Sequence, residues 1–410
     1  MTLVWLMNFP AILTLLFNVI FILFLLVATN HLLKRYIPKI AFRQGELLTI
    51  YIMLCTSTAL NGYDMMQCLV SLIGTGTWYA TPENEWIELF GHYLPDWLVI
   101  KNRDILLPFY EGGTTFYRAK YIQGWAVPIV SWTLFVLALV FVMLCINVLL
   151  RKQWIEHERL AYPIVELPFD MTREGGTTFF NRSLWFGMIV AGGISLLNGF
   201  SYLYPTIPRI PIWVTSLNRF FTTKPWNAIY SMNVTLYPFV IGLGFLMPLS
   251  LTFSYWMFYL FWQIQRIIGS HLGLSGLPGF PYPMAQVRGV WMGLLLFALW
   301  GGRKHFVGVL RKAFTGRGID DALEPMTYRQ ALIGIAAGTG VILGFCYLAG
   351  LSLWFSLSFF VIYFALSTAI TRIRAELGPP AHDMYGAGPD YILTTLLGTR
   401  RIGPQNLALM

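Results

Sequence analysis

Long runs of apolar residues, separated by short polar connections, recur along almost the whole chain. A helix rises ~1.5 Å per residue, so about 20 apolar residues cross the ~30 Å hydrocarbon layer of a bilayer. Candidate segments lie at 9–32, 47–73, 125–150, 184–203, 236–268, 289–302, 331–349 and 351–370. The pattern predicts an all-α fold, a polytopic transmembrane helical bundle that forms a single domain over residues 1–410.

The number of spans is least certain around 236–268, which is long for one helix and short for two. Pro248 lies near its middle, where a proline interrupts helical hydrogen bonding. A hairpin bent at this proline, or a re-entrant segment nearby, accommodates the basic connection 303–317 on the inner side. We therefore predict about eight or nine crossings.

Basic residues cluster at the ends of the apolar runs, which sets the orientation. They crowd the connection after the first run and residues 151–182 after the third. Connections rich in Lys and Arg stay on the cytoplasmic side. We therefore expect 151–182 to be a cytoplasmic loop, 77–124 to be an external loop and the protein to be multi-pass in the inner (cytoplasmic) membrane.

Composition excludes several classes of function. The chain is 56% hydrophobic and 11% charged, against roughly a quarter charged residues in soluble domains. The net charge of +9 arises at span ends, so membrane lipid is the expected partner and nucleic acid is not. The four cysteines lie in apolar runs without metal-ligand spacing, and the six histidines are scattered. We predict no metal, no cofactor and no catalytic residues.

One ionisable residue, Asp64, lies inside an apolar run. Its neighbours Asn61 and Gln67 are polar as well. Charged residues within spans are costly, so they usually face the bundle interior or a water path and mark ion or substrate pathways. We assign Asp64, Asn61 and Gln67 to a substrate or proton pathway; the alternative is that Asp64 lies at the outer interface or in a structural ion pair.

Two Gly/Pro-rich segments, 272–284 and 377–389, interrupt the helical pattern and adjoin apolar helices. Irregular backbone at membrane depth is tolerated where it is buried in protein or lines a wet cavity, and such interruptions point to transporter binding sites. An ordinary surface loop is the alternative. The second segment and the span end before it supply further pathway candidates, Arg372, Arg374, Glu376, His382 and Asp383.

Four sequence segments carry a resemblance to a known family: GELLTIY at 45–51, ATPEN at 80–84, RKQWIEHERLAYPIVELPFDM at 151–171 and TRIRAELGPPAHD at 371–383. Together they resemble a family of uncharacterised prokaryotic polytopic membrane proteins. A more distant likeness to the oligopeptide transporter superfamily would imply proton-coupled uptake. Relatives continue with further hydrophobic segments, which leaves open that this chain is truncated at its C-terminus.

The third of these segments alternates acidic, basic and aromatic residues. Trp154, Glu158, Arg159 and Glu166 suggest a loop ordered against the bundle, and we interpret them as a gating loop. The alternative is a loop at the lipid interface whose ion pairs contribute little.

The function that these features favour is secondary transport of a small polar or peptide-like solute, with coupling to protons as an option. Two other classes stay open: a membrane-embedded transferase that acts on a lipid-linked substrate, and a non-catalytic membrane scaffold subunit. The sequence specifies neither the solute, the coupling ion and the direction of transport nor the oligomeric state.

Overall fold

The computed structural model describes residues 16–173, 182–212, 215–378 and 387–410. Within them the regular structure is almost entirely helical, which confirms the predicted all-α class. The α-helices of the described residues are α1 (Phe17–Tyr36), α2 (Gln44–Leu60), α3 (Cys68–Trp78), α4 (Trp86–Leu89), α5 (Arg103–Tyr110), α6 (Ala119–Lys152), α7 (Pro163–Thr172), α8 (Arg182–Leu203), α9 (Pro238–Leu246), α10 (Leu249–His271), α11 (Pro283–Thr315), α12 (Tyr328–Ala349), α13 (Leu353–Leu377), α14 (Pro389–Leu397), α15 (Thr399–Ile402) and α16 (Pro404–Leu409).

Three other kinds of regular structure accompany them. Two π-helices occupy Tyr63–Gln67 and Gln153–His157. Strands β1 (Thr215–Ser216) and β2 (Asn233–Val234) form an antiparallel pair. Short 3-10 turns lie at Pro38–Ile40, Gly91–Tyr93, Asn218–Phe220, Trp226–Ala228 and Leu274–Gly276.

Among the described residues, 6 helices are long and apolar enough to cross a membrane. They are Phe17–Tyr36, Ala119–His157, Arg182–Leu203, Pro283–Thr315, Tyr328–Ala349 and Leu353–Glu376. All 6 coincide with predicted apolar runs, so the chain is an integral, multi-pass membrane protein whose helices contact lipid.

The other two predicted runs are each divided between two helices. In the run 47–73, α2 ends at Leu60, and the π-helix Tyr63–Gln67 separates it from α3. In the run 236–268, α9 ends at Leu246 and α10 begins at Leu249, with Pro248 as its N-cap. Both breaks follow from the residues present, a proline in one case and Asn61-Gly62 in the other. The total number of crossings stays a prediction.

The chain divides into two compact units. Unit 1 comprises 1–64, 161–286 and 373–383, and unit 2 comprises 65–160, 287–372 and 384–410.

Unit 1 packs α1, α2 and α7 around an apolar core. The core residues are Leu23, Val27, Leu47 and Met171. Asn30 is fully buried at the end of α1, and its side-chain amide bonds both the N–H (2.7 Å) and the carbonyl (3.1 Å) of Phe42. The amide therefore fixes the turn between α1 and α2 without leaving a buried polar atom unpaired.

Unit 2 is built on the close packing of α12 against α6. An added Cβ at Gly338 would lie 2.5 Å from Val142 Cγ2, and one at Gly334 would also overlap α6. The approach of the two helices therefore depends on these glycines, as small residues do at membrane helix interfaces. The second glycine pair, Gly340 and Gly344, has open space around it.

The predicted external loop is an ordered part of unit 2. Arg103 on α5 donates to the carbonyls of Trp78 (3.0 Å) and Ala80 (2.7 Å), where α3 ends. Ile73, Ile100, Leu106 and Trp125 form an apolar cluster beneath it. The arginine thus satisfies carbonyls at a helix C-terminus, where its charge is favourable.

The Gly/Pro-rich segment 272–284 is not regular helix, as predicted. It contains the 3-10 turn Leu274–Gly276 and joins α11 at Pro283. Of the second such segment, residues 379–386 lie outside the described residues.

Candidate functional site

A largely buried ion pair joins Glu158 to Arg372 within unit 2. Arg372 lies near the end of α13, and Glu158 directly follows the π-helix Gln153–His157. The Arg372 and Glu158 side chains are 22% and 18% exposed. Arg372 donates to one carboxylate oxygen of Glu158, and Gln153 Nε2 donates to the other at 2.9 Å. Both oxygens are therefore occupied, as a carboxylate removed from water requires.

The π-helix sets the geometry of this pair. The backbone N–H of Glu158 donates to the carbonyl of Gln153 at 2.9 Å, five residues earlier. This wider turn places Gln153 and Glu158 within reach of each other, while Trp154 is buried and anchors the turn. Arg159 then has a positive φ of 52° and an exposed side chain, so the chain leaves the helix there. π-Helical turns are rare and are frequently found at functional sites.

A small cleft lies between α6 and α13, and one of its lining residues, Thr371, directly precedes Arg372. Its lining residues are Met143, Ile146, Asn147, Phe364, Ser367, Thr368 and Thr371. The lining residues of α13, at 364, 367, 368 and 371, are three or four positions apart and therefore share one face of the helix. Arg372 lies four residues after Thr368 and continues this face. The cleft has a volume of about 10 Å³, enough for roughly one water molecule. It is too small to be a ready-made solute site.

The segments 151–171 and 371–383, which supply Glu158 and Arg372, also contact each other in unit 1. The backbone N–H of Tyr162 donates to the carbonyl of Ala375 at 2.8 Å. A Cβ at Gly378, whose φ is +76°, would lie 3.2 Å from Pro163. Glu166 follows on α7 and is exposed. Of the four predicted gating residues, Trp154 is buried and Glu158 contacts Arg372 on α13, whereas Arg159 and Glu166 are exposed.

The remaining pathway candidates on α13 belong to unit 1. Arg374 has a buried Nε with no hydrogen-bond partner among the described residues, and Glu376 is exposed. His382 and Asp383 lie outside the described residues.

The Asp64 region is described only in its backbone and flanks. Asp64 belongs to the π-helix Tyr63–Gln67, and its side chain is outside the described part of the structure. Asn61 caps α2 and donates to Ser57 Oγ at 3.3 Å, while Gln67 is exposed. The role of Asp64 therefore stays a prediction.

Two members of the unit 2 site, Gln153 and Asn147, were not predicted from the sequence. Asn147 carried a usable signal, because an amide inside the run 125–150 needs a partner or a polar cavity. Gln153 carried none, since it stands among other polar residues at a span end. Over the described ranges, no group of three or more His, Cys, Asp or Glu side chains could hold a metal ion.

Comparison with known proteins places the chain in a family. The model of a family of unknown function, DUF6785, matches residues 1–410, so the chain belongs to that family. Searches of curated proteins and of solved structures returned no match.

Proposed function

We propose that this member of the DUF6785 family is a secondary transporter of a small polar or peptide-like solute, in which the Glu158–Arg372 pair forms a cytoplasmic gate. The observation that carries the proposal is the face of α13 with Ser367, Thr368 and Thr371, which lines the cleft and continues to a buried ion pair at the end of two membrane-length helices.

The ion pair is better explained by gating than by stability. Replacing a buried ion pair with apolar residues is often neutral or stabilising, so such a pair is weak evidence for a purely structural role. Ionisable and polar residues within spans usually mark a pathway through the bundle. Asn147, Ser367 and Thr371 supply polar groups on both helices beside the pair.

Asp64 is the proposed coupling or binding residue of the same transporter. It lies in the other π-helix, which ends at Gln67 and begins two residues after Asn61. A carboxylate in such a position can exchange protons or bind a cationic group. Proton coupling follows from this assignment and is part of the proposal.

Cysteine accessibility tests the gate without knowledge of the solute. In a background lacking Cys55, Cys68, Cys145 and Cys346, Ser367→Cys reports on the cleft and is treated with an impermeant maleimide in inside-out vesicles. Glu158→Gln should raise the labelling rate by about tenfold, because that rate follows the population of the open state.

Val361→Cys is the matched control on the same helix. Val361 is 60% exposed on a membrane-spanning segment, so lipid should shield it equally with and without the Glu158→Gln substitution. A labelling rate of Ser367→Cys that Glu158→Gln leaves unchanged would rule out the gate.

Transport itself is tested by an uptake screen in proteoliposomes, with and without an inward pH gradient. Accumulation of a polar or peptide-like solute that Glu158→Gln alters would support the assignment. Chemical conversion of a lipid-linked substrate without net movement of a solute would favour the transferase instead.

A further inference from the structure

A second polar cluster in unit 2 surrounds His305 on α11. His305 is 4% exposed, and Tyr328 at the start of α12 is fully buried. Their rings lie 6.4 Å apart, centroid to centroid, at 87°. The Nδ1 atom of His305 and the hydroxyl of Tyr328 are both buried and have no hydrogen-bond partner among the described residues. Such orphaned polar atoms need an explanation.

The hydrogen bond at the other ring nitrogen fixes the tautomer. His305 Nε2 lies 2.8 Å from the carbonyl oxygen of Leu149 on α6. A carbonyl only accepts, so Nε2 carries the hydrogen, and Nδ1 of the neutral ring has a free lone pair. A proton that binds His305 therefore binds at Nδ1.

Tyr328 suits both states of that nitrogen. Through one water molecule, a hydroxyl can donate toward an unprotonated ring nitrogen and accept from a protonated one, and the bond to the charged ring is the stronger of the two. Phenylalanine would provide the same packing without this ability.

Charges of both signs surround the ring. His157 on the π-helix, with its ring 6.0 Å away, and Lys152 on α6 oppose an additional positive charge, whereas Glu324 favours it. Glu324 also pairs with Arg151 at 3.1 Å. The charged groups near Tyr328 are Glu324, Asp321, Glu156 and Arg151. The cluster thus holds a histidine between charges of opposite sign.

The π-helix connects this cluster to the ion pair. Gln153 at its start bonds Glu158, and His157 at its end faces His305. A positive charge on His305 repels Lys152 and His157, which flank the residues that hold Glu158 in place.

We infer that His305 is a proton-binding site and that its protonation opens the Glu158–Arg372 gate; the second half of this inference rests on the proposed function. A hydronium ion on the cytoplasmic side supplies the proton: its O–H bond breaks as the N–H bond forms at Nδ1, and a water molecule is left behind. The gate therefore responds to the pH at the inner face.

Nuclear magnetic resonance of full-length protein with labelled histidine, reconstituted in nanodiscs, tests the site directly. The His305 signal is the one that disappears in His305→Gln. Glutamine is chosen because it can still donate to the Leu149 carbonyl. We expect Nδ1 to change from unprotonated to protonated as the pH of the sample is lowered. Tyr328→Phe should move the midpoint to lower pH, and His157→Gln should move it to higher pH.

His31→Gln is the control and should leave the His305 midpoint unchanged. A His305 Nδ1 that stays unprotonated at every pH at which the protein remains folded would overturn the inference. So would a midpoint that is the same in wild type and in Tyr328→Phe.

The coupling is tested with the Ser367→Cys reporter. Its labelling rate should rise by at least about threefold as pH falls through the His305 midpoint, and His305→Gln should remove this dependence. A reporter that responds to Glu158→Gln but not to pH would overturn the coupling and leave the gate intact. A reporter that responds to neither, while His305 titrates, would reject the gate and retain the proton site.

Discussion

A double-mutant cycle on the Glu158–Arg372 pair measures the interaction free energy between the two side chains. The variants are Glu158→Gln, Arg372→Gln and the double variant. Removing one member of a buried pair typically costs about 3–5 kcal/mol, because the other charge loses its compensation. Here the side chains retain 18% and 22% exposure, and Gln153 can still bond an amide at position 158. We therefore expect each single variant to lose about 2–3 kcal/mol.

The double variant removes both charges and should cost less than the sum of the two single variants. The expected interaction energy is about 1–3 kcal/mol. The assay is unfolding of the purified protein in mixed micelles, titrated with a denaturing detergent and followed by tryptophan fluorescence. The unfolding free energy must fall with detergent concentration at the same slope in the wild type and in the three variants, since only then can the free energies be compared.

An exposed ion pair in the same unit provides the control cycle. Lys101 and Asp96 lie 2.6 Å apart, but their side chains are 47% and 84% exposed. Water screens such a pair, so its interaction energy should be below about 1 kcal/mol. Single-variant losses at Glu158 and Arg372 that add within about 0.5 kcal/mol would refute the reasoning.

Three further outcomes are expected. Gly338→Ala should destabilise the protein by about 1–3 kcal/mol, since its Cβ overlaps α6, whereas Gly344→Ala should be neutral or slightly stabilising in the same unfolding assay. Asp64→Asn should preserve folding and membrane insertion but abolish gradient-driven uptake in proteoliposomes; lost stability with normal transport per folded molecule would reject its functional role. A cysteine at Lys39 should resist an impermeant reagent applied outside whole cells, and one at Asn102 should react, while the opposite result would reverse the orientation.

Sequence patterns predicted those parts of the fold that depend on local chemistry. Apolar runs identified the membrane helices, and Pro248 marked the start of α10. Each of these features depends on the residue itself or on its immediate neighbours. They can therefore be predicted without knowing which helix packs against which.

The glycines of α12 show where such prediction stops. Gly334 and Gly338 have the same spacing as Gly340 and Gly344, and the sequence treats the two pairs alike. Only the first pair packs against α6, because the helix turns one face to its neighbour in unit 2 and the other away. Spacing predicts which residues share a face, and tertiary packing decides which face is used.

The candidate site was predicted only in part for the same reason. The segment 151–171 drew attention to Glu158, and the segment 371–383 to Arg372, but the two residues are 214 positions apart. No local pattern pairs them. His305 was overlooked because a lone histidine beside a basic connection is typical of a span end, and only its contact with Leu149 makes it unusual.

The two π-helices connect these observations. A membrane helix rarely gives up backbone hydrogen bonds, because the bilayer offers no replacement partners. A π-turn changes the direction of side chains while keeping the backbone bonded, so it is a low-cost way to introduce polar groups at a span. The chain uses it around Asp64 and immediately before Glu158, two carboxylates singled out from sequence. Backbone irregularity and an ionisable residue therefore coincide at both positions, which favours a functional role for each over an accident of packing.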